Sequence, residues 1–94
     1  MIVKSNEGKV LFIFDQECDG PVFLAGDFNN WNYTLDPMNK KEGKWKATKD
    51  LKPGAYQFRY VILDVEGEHW FNDWRADTYT KSPFGGENSV IIIE

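Results

Sequence analysis

The sequence predicts an all-β domain, an antiparallel β-sandwich. Three observations carry this. No stretch sustains a 3.6-residue periodicity, period-2 alternation recurs along the chain, and the alternating runs are short and separated by turn signals. Ninety-four residues suit one hydrophobic core, and no repeat, linker or low-complexity tract divides them, so residues 1–94 read as a single domain.

The first predicted strand is residues 9–15, built on Val10-Leu11-Phe12-Ile13-Phe14 and closed by Cys18-Asp19-Gly20-Pro21. Val22-Phe23-Leu24-Ala25 forms the next, ending at Gly26-Asp27. A polar loop follows through Asn29-Asn30-Trp31-Asn32 to Asp36-Pro37, where Asn, Asp and Pro favour irregular backbone. A turn at residues 41–44 leads into residues 45–51, with Trp45, Ala47, Lys49 and Leu51 on one face. After the Pro53-Gly54 turn comes the clearest alternation: Tyr56, Phe58, Tyr60 and Ile62 face one way, and Gln57, Arg59, Val61 and Leu63 the other. Glu66-Gly67 turns the chain into a short strand holding His69-Trp70-Phe71. Residues 72–86 read as irregular, and Ser89-Val90-Ile91-Ile92-Ile93 closes the domain as a β-branched strand.

Composition excludes several functions. Eleven basic against fifteen acidic residues give a net charge of −4, the wrong sign for nucleic acid or an anionic membrane surface. The apolar run at residues 10–14 is far too short to span a bilayer. Cys18 is the one cysteine and has no intrachain partner, which favours a reducing, cytoplasmic setting. His69 is the one histidine, so a Ser-His or Cys-His nucleophile system lacks candidates, and a zinc site fails on ligand count. Asp27, Asp73 and Asp77 read as solvated loop carboxylates rather than a catalytic pair. No catalytic residue, metal ligand or cofactor is expected.

The unusual total is aromatic. Seven Phe, four Tyr and four Trp make 16% of the chain, and a domain this small buries only about 60–65% of the surface it exposes when unfolded. Some rings should therefore remain at the surface. Phe12, Phe14, Phe58 and Tyr60 follow strand alternation and belong to the core, as does Trp45. Trp31, Trp70 and Trp74 sit in polar surroundings. Each could fold over the core, meet a protein partner, or form a stacking platform. An indole face beside amide and guanidinium donors suits a neutral polyhydroxylated ligand, with the ring on the C–H face and Asn and Arg on the hydroxyls.

The run Val22-Phe23-Leu24-Ala25-Gly26-Asp27-Phe28-Asn29-Asn30-Trp31-Asn32 resembles the signature of carbohydrate-binding module family 48. That family includes the glycogen-binding domain of the AMP-activated protein kinase beta subunit and the N-terminal early set domains of isoamylases. Gly43-Lys44-Trp45, Leu51-Lys52-Pro53-Gly54, Tyr56-Gln57-Phe58-Arg59-Tyr60, Trp70 and Phe84-Gly85-Gly86-Glu87-Asn88 match in order. The resemblance implies an immunoglobulin-like sandwich of the early set type, with about seven to eight strands. It also implies a non-catalytic module for glycogen, starch or malto-oligosaccharide. By position, Trp31 and Trp70 would stack on glucose units, Arg59 and Asn88 would bond hydroxyls, and Phe84 would press on a ring. Arg59 stands where the kinase form has lysine, and Phe84 where it has leucine. The alternative is an accessory domain that docks on a glycan-active enzyme without binding sugar itself.

Overall fold

Strand alternation sends the large apolar side chains to one shared interior. In a computed structural model describing all of residues 1–94, nine strands form two antiparallel sheets that close as a sandwich. One sheet has the order β1 (Ile2–Lys4), β2 (Lys9–Phe14), β5 (Lys44–Asp50), β4 (Asn39–Lys41). The other runs β3 (Val22–Gly26), β6 (Gly54–Asp64), β9 (Glu87–Ile93), β8 (Thr78–Lys81), with β7 (Gly67–Phe71) paired to the far half of β6.

The eleven-residue β6 organises its sheet. Its first half pairs with β9, its second half with β7, and β3 lies along its other edge. Inward, Phe58 and Tyr60 are fully buried with Phe12 and Phe14 of the opposite sheet. Phe58 meets Phe12 edge-on at 5.1 Å and Tyr60 at 5.8 Å, the offset geometry that ring quadrupoles favour. Val10, Val22, Leu24, Leu51 and Ile91 complete the centre. Trp45 packs half-buried against this cluster, as its strand parity predicts.

Three short strands were not legible in the sequence. β4 is Asn39-Lys40-Lys41, exposed throughout, and β1 is only three residues long. Neither carries an alternating pattern of its own; each takes its conformation from the strand it pairs with. The third corrects the irregular reading of residues 72–86: Thr78–Lys81 pairs with β9, setting Thr80 opposite Asn88.

One of the loop aspartates is also corrected, while Asp27 and Asp77 are exposed as expected. Asp73 is 1% exposed rather than solvated. Its Oδ2 accepts the Tyr60 hydroxyl at 2.6 Å, and its Oδ1 accepts the Arg75 N–H at 2.7 Å. Burial, and Asp73 beside it, push the Tyr60 phenol well above its ordinary value, so Tyr60 remains a donor. Asp77 accepts the Ile92 N–H at 2.7 Å and pairs with Lys4. These carboxylates satisfy donors of the fold.

Candidate functional site

The outward face of β6 presents Gln57, Arg59, Val61 and Leu63. Val61 is fully buried even there, because its register partners are Phe23 on β3 and Trp70 on β7. A second, smaller apolar cluster thus forms outside the core, and the candidate site is built beside it.

Trp31 reaches this face through a strained loop. After β3, residues Asp27–Asn29 make a single 3-10 turn, and Asn30 and Trp31 follow at φ 54° and 61°. Left-handed backbone is uncommon for a bulky residue and costs about 1–3 kcal/mol. Hydrogen bonds offset it. The Trp31 N–H donates to the Gly26 carbonyl at 2.9 Å, and its indole Nε1 donates to Asp27 Oδ1 at 3.0 Å. Asp27 Oδ2 accepts the Gln57 backbone N–H at 2.8 Å, tying the loop to β6. Asn29, 6% exposed, accepts from the Gly26 N–H and donates to the Leu24 carbonyl and to Asp36. Asn32 Oδ1 caps Thr34. Asn29 and Asn32 thus hold the loop in shape. Gly26 is sterically required, since a Cβ there would lie 2.6 Å from the Gln57 carbonyl oxygen and 2.7 Å from the Phe28 ring.

Trp70 stands opposite on β7, 37% exposed. Its ring centroid is 6.4 Å from that of Trp31, with the planes 36° apart. Tyr33 meets its edge at 6.0 Å and packs on Phe23 at 5.3 Å. Glu68 binds both rings by their polar ends: Oε1 accepts Trp70 Nε1 at 3.0 Å, and Oε2 accepts the Tyr33 hydroxyl at 2.7 Å. The Tyr33 hydroxyl first, then the Trp70 indole, hold the Glu68 carboxyl below its ordinary value of 4.5. The same bond to Glu68 raises the Tyr33 phenol.

A lowered carboxyl pKa means that these bonds are intact above the ordinary glutamate range and are lost as pH falls through the folded-state value. Tryptophan emission should therefore change on acidification below about pH 4.5, as Trp70 loses its acceptor. Glu68→Gln, which keeps an oxygen but no titrating group, should remove that transition. An unchanged transition in Glu68→Gln would assign it elsewhere.

The third wall is the turn before β9. The Ser82 N–H donates to the Gly86 carbonyl at 3.0 Å, and the Gly85 N–H to the Ser82 carbonyl at 3.2 Å. Gly85 and Gly86 have φ of 102° and 69°, a backbone that suits glycine. Phe84 sits at the tip, 97% exposed. Arg59 braces the base: Nη2 donates to the Glu87 carbonyl and, at 3.4 Å, to the Gly85 carbonyl, while Nε donates to Asn88 Oδ1 at 2.6 Å. Asn88 in turn donates to Gln57 Oε1 at 2.9 Å.

Trp31, Arg59, Trp70, Phe84 and Asn88, the five sequence candidates, all line one depression of about 500 Å³, together with Asp27, Gln57 and residues 82, 83 and 85. Trp74, 47% exposed, is not in its wall. Sequence reasoning passed over Gln57, Asp27, Tyr33 and Glu68. Gln57 shares its parity with Arg59, and Glu68 shares its with Trp70, so both were within reach of the alternation. Asp27 and Tyr33 act through a loop whose path no periodicity encodes. His69 bonds Asp64 at 3.0 Å across the β6–β7 hairpin, an ordinary turn contact.

No curated protein matches the chain. A family model described as the glycogen recognition site of AMP-activated protein kinase matches residues 9–82. That span runs from the first residue of β2 through β8 and takes in Trp31, Arg59 and Trp70, stopping just short of Phe84 and Asn88. The chain belongs to this family of glycogen-recognition carbohydrate-binding modules.

Proposed function

We propose that this domain is a non-catalytic binder of α-glucan: glycogen, starch or malto-oligosaccharide. The observation that carries the reading is the convergence of two indoles, half-buried Trp31 and exposed Trp70, with an exposed phenyl ring and a guanidinium on one depression. The apolar faces of glucose units stack on Trp31 and Trp70, and Phe84 presses against the glucan from the tip of its turn. Arg59 and Asn88 lie where hydroxyls would come. A net charge of −4 suits a neutral polymer better than a phosphate-bearing one.

The walls are anchored on β3, β6, β7 and β9, which supports a site formed before ligand arrives. A shallow site with two stacked rings and a few solvent-exposed hydrogen bonds supports modest affinity, roughly micromolar to millimolar. The purified domain should co-sediment with glycogen and be released by maltoheptaose. A domain that stays in the supernatant with glycogen, and shows no change in tryptophan emission with maltoheptaose, would overturn the reading.

A further inference from the structure

The polar rim of the depression has a fixed direction of hydrogen bonding. A guanidinium has donors only, so the Asn88 atom facing Arg59 Nε must be the carbonyl Oδ1. Asn88 Nδ2 therefore faces Gln57, whose accepting atom must be Oε1. Asn88 is 5% exposed, and turning either amide would set donor against donor or acceptor against acceptor. Gln57 Nε2 is left with two N–H groups and no protein acceptor, on a residue that lines the depression. Arg59 is largely committed to the protein through Nε and Nη2. Both Asp27 oxygens already accept, from Trp31 and from the Gln57 backbone.

We propose that Gln57 is a ligand-contacting residue, donating from Nε2 to a hydroxyl or ring oxygen of the bound sugar, and that Arg59 sets this polarity through Asn88. The inference rests on the sugar-binding reading above. It adds a ligand contact that neither motif matching nor the alternation singled out, and it makes Arg59 chiefly a positioning residue. Arg59 Nη1 has no protein acceptor and remains available to a hydroxyl.

Maltoheptaose titrations of tryptophan emission test it, with thermal melts as the control for folding. Gln57→Glu keeps an oxygen for Asn88 but has no outward donor; Gln57→Met keeps the length without charge. Both retain the backbone N–H that holds Asp27. Each should bind about 5- to 10-fold more weakly than wild type, the size of one lost hydrogen bond. Gln57→Glu should melt as wild type does, and Gln57→Met, which leaves Asn88 Nδ2 without its acceptor, should melt lower but still fold. Arg59→Lys, also a pure donor, should stay within about 3-fold of wild type. Arg59→Gln, which can offer its carbonyl to Asn88 and release the chain of amides, should lose as much as Gln57→Glu. Wild-type affinity in both Gln57 variants overturns the Gln57 contact while leaving glucan binding in place. Equal losses in Arg59→Lys and Arg59→Gln overturn the positioning role. A wild type that ignores maltoheptaose overturns both the contact and the reading beneath it.

Discussion

Trp70→Ala is expected to release the domain from glycogen while leaving its fold standing. One indole face covered by a sugar removes on the order of 60 Å² of apolar surface from water, about 1.5 kcal/mol at 25 cal/mol per Å². That alone is a factor of roughly ten in affinity. Trp70 does more than stack, because it also touches Trp31 at 6.4 Å and Tyr33 at 6.0 Å and covers Val61. Its removal loosens both neighbours, so the loss should exceed tenfold and carry a weak binder out of the range that sedimentation detects. Trp31→Ala should act in the same direction. The double variant should lose less than the sum, since the two rings form one surface. Circular dichroism should stay native in each, because both rings lie outside the main core. Normal retention of both single variants on glycogen would remove the tryptophans from the site.

Phe58→Ala is expected to have the opposite profile, a large loss of stability. Phe58 is fully buried at the centre of β6, edge-on to Phe12 and Tyr60, and flanked in register by Gly26 and Ser89. Truncating such a ring costs about 3–5 kcal/mol. A chain of this length has only about 5–14 kcal/mol in total, so the melting temperature should fall by on the order of 20 °C. Thermal and urea melts followed by circular dichroism measure this. A variant that melts within a few degrees of wild type would show that the core repacks around the gap. The contrast with Trp70→Ala separates aromatic residues that build the sandwich from those displayed on it.

Alternation made much of this division visible in the sequence. Phe12, Phe14, Phe58 and Tyr60 have the parity of buried residues and are buried, because a strand sends alternate side chains to opposite faces wherever it pairs. The same rule put Gln57 and Arg59 on the outer face. It failed for β4 and β8, which carry no alternating apolar pattern and are strands by virtue of their neighbours. It also failed for Asp73, because a loop aspartate gives no sign that a buried tyrosine hydroxyl will need an acceptor. The asparagines around Trp31 misled in the other direction: their amides resemble ligand donors in the sequence, yet Asn29 is the internal brace of its own loop.

Periodicity and residue order alone specify the sandwich, the core parity of β2, β5 and β6, and the family, through ordered motifs spread over most of the chain. Those follow from local periodicity and from residue order, which need no knowledge of who touches whom. The folded arrangement is what brings the ring centroids of Trp31 and Trp70 to 6.4 Å, joins Trp70 to Tyr33 through Glu68, and commits most of the Arg59 donors to Asn88 and the turn before β9. Those contacts join residues from loops and strands far apart in the chain. Their geometry is set by how the edges of one sheet meet, which no spacing along the sequence records.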